Sequence, residues 1–301
     1  MDQQKTGYAN DSWFFFPKPN QNAKLRMFCF PYAGSGASIY KKWESAMPLE
    51  VELCAVQLPG RENRITEAAF KDFSSLINVL AEKILPLLDK PYIFFGHSMG
   101  ALISFELARK LREASGELPI HLLLSGINPL KSTSKLNINT MDDDEFINFL
   151  NRLNGTPTEI LKNKEVLSFF LPVIKADFEL LNSYSFAHKP PLECPITSYG
   201  GMDDTPEDNL KGWIKHTDKT LEVKMFPGDH FFINSSRQEV LAALRTDLIM
   251  IVNKIAELDE MEFLENFINN KKDRSIKKGA IRGEKQRELA ENIKKNWGVF
   301  K

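Results

Sequence analysis

The chain has 301 residues, 39 Lys and Arg against 40 Asp and Glu, and a formal charge of −1. This balance argues against nucleic acid as the main partner, because phosphate binding needs a basic excess. The composition, 43% apolar and 26% charged, is that of a globular protein, and the length allows either two domains or one large domain with an appendage of about fifty residues.

The first twenty residues are polar and lack the basic start and apolar run of a signal peptide. No apolar stretch approaches the ~18 residues that a membrane helix needs. Cys29, Cys54 and Cys194 cannot all pair and lack metal-ligand spacing. Together these features lead us to expect a soluble, cytoplasmic protein in a reducing compartment, with no membrane partner.

Leu25–Phe30 reads as a strand, followed by Pro31, a loop of small residues and a helix near Ile39–Met47. Val51–Val56 reads as a second strand. Within Asp72–Leu88, Phe73, Leu76, Ile77, Leu80, Ile84, Leu87 and Leu88 form a helical stripe. Tyr92–Phe95 is a strand and Met99–Ala114 a helix. Leu122–Ser125, Ile196–Gly200 and Leu221–Phe226 are further strands, the last two flanking a helix near Asn209–Thr217. Ser235–Leu258 closes the pattern as a helix. The alternation predicts an α/β fold: a mostly parallel central sheet with helices on both faces.

Residues 129–191 break the alternation. They read as helices over Asp142–Leu153, Lys164–Leu171 and Val173–Tyr184, with Pro172 ending one and opening the next. Asp142, Asp143 and Asp144 suit the N-terminal dipole of the first. Helices inserted between two sheet strands predict a lid. Residues 259–301 hold 11 Lys and Arg and 8 Asp and Glu, without proline. They read as a helix-prone, charged C-terminal extension of the 1–258 domain.

The strongest chemical signal is Gly96-His97-Ser98-Met99-Gly100, a G-x-S-x-G sequence entered from a strand and left by a helix. In that context it reads as a nucleophile elbow. The turn is tight enough to strain the Ser98 backbone, and side chains two positions either side would collide. The following helix N-terminus lends partial positive charge to an oxyanion.

A nucleophilic serine needs a base and an orienting carboxylate, here in the order Ser, acid, His. His97 lies inside the elbow and points elsewhere. His121, His188 and His216 read as strand-edge, loop and helix-end residues. His230, in Pro227-Gly228-Asp229-His230, follows a strand and can reach Ser98 from above the sheet. Either Asp203 or Asp204 can orient its ring, whereas Asp229 is too close in sequence. The oxyanion hole is assigned to the backbone N–H groups of Met99, after the nucleophile, and of Ala33, in the loop Pro31–Ala37. That loop lacks the Gly-Lys-Ser/Thr or G-x-G-x-x-G spacing of a phosphate cradle.

These residues belong to a longer set: F-C-F-P-Y-A-G at 28–34, V-Q-L-P-G-R-E-N-R at 56–64, G-H-S-M-G-A at 96–101, L-N-G-T-P-T-E-I-L at 153–161, F-F-L-P-V-I-K-A-D-F-E-L-L-N-S-Y at 169–184 and P-G-D-H-F-F at 227–232. Together they resemble type II thioesterases, stand-alone α/β hydrolases that serve nonribosomal peptide and polyketide assembly lines. The resemblance runs from about Trp13 to Leu258 and does not extend to the tail. The loop here reads A-G-S-G-A where the family more often has A-G-G-S-A, which keeps its residues small.

The resemblance implies an α/β-hydrolase fold and a Ser98, Asp204, His230 triad, with Asp204 taken at the spacing of the family's G-x-x-D turn. It implies hydrolysis of acyl thioesters on the phosphopantetheine arm of acyl or peptidyl carrier proteins, clearing stalled or misprimed modules. No metal or cofactor is needed for that chemistry, and a monomer is expected. Arg61 and Arg64 are candidates for contact with the arm or the carrier, with a loop-pinning role as the other reading of Arg61. The competing functions are a general acyl-CoA thioesterase, a carboxylesterase on the same fold and a non-enzymatic scaffold.

Overall fold

The computed structural model describes residues 11–129, 141–153, 164–258 and 260–261. The chain divides into two compact units, Met1–Ile249 and Met250–Lys301. In the second, residues 250–258 and 260–261 are helical; the rest of the expected extension lies outside the described residues. Among the described residues no helix is long and apolar enough to cross a membrane.

The first unit is built on seven strands: β1 (Phe14–Phe15), β2 (Leu25–Phe30), β3 (Val51–Val56), β4 (Tyr92–His97), β5 (His121–Ser125), β6 (Ile196–Gly201) and β7 (Leu221–Phe226). Their order is β1-β3-β2-β4-β5-β6-β7, all parallel except β1, which pairs antiparallel with β3. In β2, β3 and β4 every residue is buried. Uninterrupted burial means that both faces are covered, as six-residue apolar runs without alternation require. Even Arg26 and Glu52 are enclosed on these strands, joined Nε to Oε2 at 2.8 Å.

The helices of this unit are α1 (Phe73–Ile84), α2 (Met99–Ser115), α3 (Asp143–Leu153), α4 (Lys164–Ser183), α5 (Glu207–Leu210), α6 (Phe232–Ser235) and α7 (237–249). Asp72 caps α1 by accepting from the Ser75 N–H at 2.7 Å. Leu76, Leu80 and Ile84 of α1 and Leu102, Phe105 and Leu107 of α2 share one core with Phe28 and Phe94 of the sheet. The chain crosses from β2 outward to β3 and then back past β2 to β4. Two neighbouring strands therefore send their following segments in opposite directions, and the crevice beyond their C-terminal ends is where an open α/β sheet holds a ligand.

Three local expectations need correction, and one short strand, β1, was not expected. The helix expected near Ile39–Met47 is two 3₁₀ turns, Ala37–Tyr40 and Glu44–Ala46. Tyr40 and Trp43, three apart, are both buried, and the Tyr40 hydroxyl donates to the Phe30 carbonyl at 2.7 Å, a spacing that suits three residues per turn. The helix near Asn209–Thr217 is α5 followed by a 3₁₀ segment, Lys211–His216. Strand β1 is too short to carry a period.

Pro172 lies inside the single helix α4 instead of separating two. An interior proline costs about 3 kcal/mol. Burial of Leu171, Val173, Ile174 and Phe178 against Phe146 and Leu150 of α3 offsets that cost, at roughly 1.5–3 kcal/mol for each fully buried side chain. The far end of α4 is tied to α1: the Ser183 hydroxyl accepts from the Phe73 N–H at 2.8 Å, and the rings of Phe73 and Tyr184 meet edge to face.

Candidate active site

Ser98 stands between the end of β4 and the first residue of α2, with φ 54° and ψ −117°. Positive φ is rare for a residue with a side chain and costs about 1–3 kcal/mol. The Ser98 N–H donates to the Ser125 carbonyl at the end of β5, at 2.8 Å, which holds the turn against the sheet. Two glycines make the approach possible. A Cβ on Gly100 would lie 2.1 Å from the Phe30 carbonyl oxygen of β2, and one on Gly96 would lie 2.2 Å from the Gly100 carbonyl oxygen. Both contacts are with backbone, which cannot step aside.

His230 arrives from the loop after β7 and Asp204 from the turn after β6. His230 Nε2 is 3.0 Å from Ser98 Oγ, and His230 Nδ1 is 3.0 Å from Asp204 Oδ2. An ionised carboxylate only accepts, so Nδ1 carries the proton and Nε2 is left to accept from the serine hydroxyl. This is the arrangement in which an imidazole takes a proton from an attacking hydroxyl. The turns that carry the acid and the base are sewn together: the Met202 N–H donates to the Phe226 carbonyl at 2.8 Å and the Asp203 N–H to the Gly228 carbonyl at 3.0 Å. Asp203 thus has its backbone in the seam while the next residue turns its carboxylate to His230. Asp229 is occupied locally, its Oδ1 accepting the Phe231 N–H at 2.9 Å.

Met99 opens α2, where the first N–H groups have no helical acceptor. Ala33 lies in the loop three residues past the end of β2, whose last residue, Phe30, is level with Gly96 of β4. Among the described residues neither of these N–H groups donates to another group of the chain. His97 is fully buried, with Nδ1 at 2.9 Å from Ser125 Oγ and Nε2 without a partner among the described residues. His121 sits at the start of β5 against the Thr197 hydroxyl, and His188 and His216 lie far along the chain around the Phe186 ring. Among the described residues no group of three His, Cys, Asp or Glu is placed to hold a metal ion.

Arg61 and Arg64 are not the exposed contacts that their sequence position suggests. Both are buried, at 5% and 4% exposure. Arg61 makes a two-bond fork with Asp177 of α4 and also donates to the Ser35 and Pro59 carbonyls. Arg64 is held by Glu67 and the Gln57 carbonyl and lies over the Trp13 ring. With each guanidinium buried and held by these bonds, neither is presented to a carrier while its loop stays in place. The loop-pinning reading of Arg61 is the one the geometry supports. Sequence reasoning does not single out Asp177, whose signal is a single carboxylate on an apolar helical face.

Burial holds the His97 imidazole neutral, pushing its pKa well below the ordinary histidine value, and the nearby His230 opposes a second proton further. The unfolded chain protonates this residue near the usual ~6.5, so below that pH the unfolded state binds more protons and stability falls as pH drops. Urea unfolding at about pH 7.5 and about pH 5.5 checks this: the wild type should lose up to ~1.4 kcal/mol per pH unit more than His97→Gln. Equal losses in the two proteins would show that the ring is not held neutral.

The fold and the site can be set beside known proteins. Residues 25–248 match the family model described as a thioesterase domain. The gramicidin S biosynthesis protein GrsT of Aneurinibacillus migulanus is 42% identical over 245 residues, covering 80% of this chain and 96% of GrsT. The human medium-chain S-acyl fatty acid synthase thioesterase is 30% identical over 264 residues, covering 86% and 96%. The structure of the type II thioesterase BorB, from the borrelidin biosynthetic cluster, superposes with a TM-score of 0.72 at 30% identity, over 80% of this chain and 99% of BorB. A family match over most of the chain and full-length relatives at this identity settle the assignment: this chain is a thioester-cleaving hydrolase and belongs to the type II thioesterases of the α/β-hydrolase fold.

Proposed function

We propose that the enzyme hydrolyses acyl groups carried on the phosphopantetheine arm of acyl or peptidyl carrier proteins, clearing stalled or misprimed modules of an assembly line. The reading rests first on the hydrogen-bonded chain from Asp204 through His230 to Ser98, set at the crevice with the Ala33 and Met99 N–H groups, which have no acceptor among the described residues. The choice of carrier-borne substrates draws on the relatives, whose names place them in gramicidin S biosynthesis, the borrelidin biosynthetic cluster and fatty acid synthesis. The three buried, unpaired cysteines suit a cytoplasmic setting.

In the proposed reaction Ser98 Oγ attacks the thioester carbonyl while His230 Nε2 takes its proton. The tetrahedral oxyanion is held by the Ala33 and Met99 N–H groups and by the positive end of α2. The C–S bond breaks, the imidazolium returns the proton to sulfur, and the acyl group stays on Ser98. Water then attacks the ester as His230 takes a proton from it. The acid is released when that proton passes back to Ser98 Oγ. Asp204 keeps the ring in the required tautomer and stabilises its charged form without taking a proton. A thiol leaves readily, so deacylation is the slower half. Helices α3 and α4 act as the lid over the acyl chamber, and the catalytic domain spans 1–258 with 259–301 outside the chemistry.

Replacing Ser98 by Ala or His230 by Ala should lower kcat by roughly 10⁴- to 10⁶-fold with the fold intact. A residual rate above about a tenth of wild type in either variant contradicts the assignment. Asp204→Asn should cost far more than Asp203→Asn, and the reverse order would move the acid to Asp203.

Presentation of the substrate tests the carrier. One acyl group is offered on a carrier protein, on coenzyme A and on N-acetylcysteamine. Remote contacts with arm and carrier position the thioester, so kcat/KM should fall in that order. Equal values for all three would favour a general thioesterase.

A further inference from the structure

The oxyanion loop is gripped from outside by two residues that lie 116 positions apart. Arg61 follows β3, and Asp177 sits on α4, 1% exposed. Arg61 Nη1 donates to Asp177 Oδ2 and Nη2 to Oδ1, both at 2.7 Å, a parallel fork. The same pair reaches the loop from both ends. Asp177 Oδ2 accepts the Gly34 N–H at 2.7 Å, and Arg61 Nη1 donates to the Ser35 carbonyl at 3.1 Å. Ile174, one turn before Asp177 on α4, closes against Gly34, where a Cβ would lie 2.9 Å from its Cγ1. Ala33 itself packs on the apolar cluster of α3 and α4.

Stability alone does not account for such a pair. A buried ion pair can often be exchanged for apolar side chains of similar volume with no loss, because desolvation consumes the Coulombic gain. What apolar side chains cannot supply is direction. The Ala33 N–H lies in the planar Tyr32–Ala33 peptide, whose carbonyl accepts from the Ser35 N–H at 3.1 Å and from the Ser35 hydroxyl at 2.6 Å; by holding Gly34 and Ser35, the pair seats the turn that fixes that plane. The guanidinium also cancels a carboxylate charge that would otherwise stand close to a developing oxyanion.

We propose that Asp177 is a positioning residue for the oxyanion hole. The Arg61–Asp177 clamp aims the Ala33 N–H at the thioester oxygen and makes that donor depend on α4 being seated. The inference rests on the proposed roles of Ser98 and Ala33. It adds that the inserted helix, besides covering the crevice, completes the catalytic geometry.

The test uses the full chain, with Asp177→Ala and the paired replacement Arg61→Met with Asp177→Leu. The pair removes both charges, so no buried charge is left without a partner. Hydrolysis of an acyl-N-acetylcysteamine and inhibition by the matching trifluoromethyl ketone are measured beside thermal melting. The ketone adds to Ser98 as a hemiketal whose oxygen occupies the oxyanion hole. Loss of one oxyanion donor predicts a fall of about 10²-fold in kcat, with KM held within about threefold and ketone affinity weakened about as much as kcat. A merely structural pair would move the melting temperature and leave the ketone and kcat alone. A folded double variant with wild-type kcat overturns the proposal, as does a loss of rate that only follows the folded fraction, or one that leaves ketone affinity unchanged. Failure of the ketone to inhibit the wild type would overturn the Ser98 reading, and this proposal with it. Tight wild-type inhibition that persists in the double variant overturns the positioning role alone.

Discussion

Ser98 is held at φ 54° and ψ −117°, a conformation that the isolated chain would leave at once. Everything around it is arranged so that it cannot. The strand before it is fully buried and hydrogen-bonded on both sides, to β2 and to β5. The helix after it is driven onto the sheet by Leu102, Phe105 and Leu107. The Ser98 N–H is spent on the Ser125 carbonyl. Gly96 and Gly100 let helix and strand backbones approach as closely as the turn demands. The strain is local, and the core that opposes it covers both faces of the sheet. The hydroxyl is thereby lifted above the C-terminal edge beside the N-terminus of α2, where attack and oxyanion stabilisation are geometrically joined.

The remaining parts reach that point because parallel strands all end on one side. β2 delivers the Ala33 loop, β4 the serine, β6 the acid and β7 the base. Parallel register brings Phe30 beside Gly96 and Gly201 beside Phe226, so the segments after these strands start level with one another. Backbone bonds between the turns after β6 and β7 then keep Asp204 and His230 as one unit. Buried polar groups reinforce the frame: the Tyr199 hydroxyl and Lys224 both meet Asp247 behind β6 and β7. The Arg61–Asp177 pair does the same for the β2 loop.

Much of this was legible in the sequence, for physical reasons. Strands β2, β3 and β7 were bounded correctly because short apolar runs between turn residues leave little choice of register. The G-x-S-x-G turn marks itself, since its glycines are demanded by backbone contact. Ser98 and His230 follow from the elbow and from the strand that ends beside it; the residues alone leave Asp203 and Asp204 open, the resemblance selects Asp204, and the structure brings Ser98, Asp204 and His230 together. Other features were not legible. The 3₁₀ turns carrying Tyr40 and Trp43 share their apolar spacing with an α-helix. Pro172 reads as a helix boundary until the packing of α3 on α4 outweighs its cost. Contact with a carrier and loop-pinning stay open for Arg61, and Arg64 reads as a surface charge, because Asp177 and the Trp13 ring are remote in sequence. Burial of an ion pair is a property of the whole fold and leaves no local pattern.

The central claim is that Ser98 is made nucleophilic by this geometry. Brief treatment with a fluorophosphonate followed by peptide mass mapping tests it most directly. The account predicts one equivalent of adduct on the peptide bearing Ser98, and labelling at least about 10²-fold slower once His230 no longer accepts the hydroxyl proton. An adduct on another residue, or labelling of Ser98 at the same rate without the His230 imidazole, would contradict it.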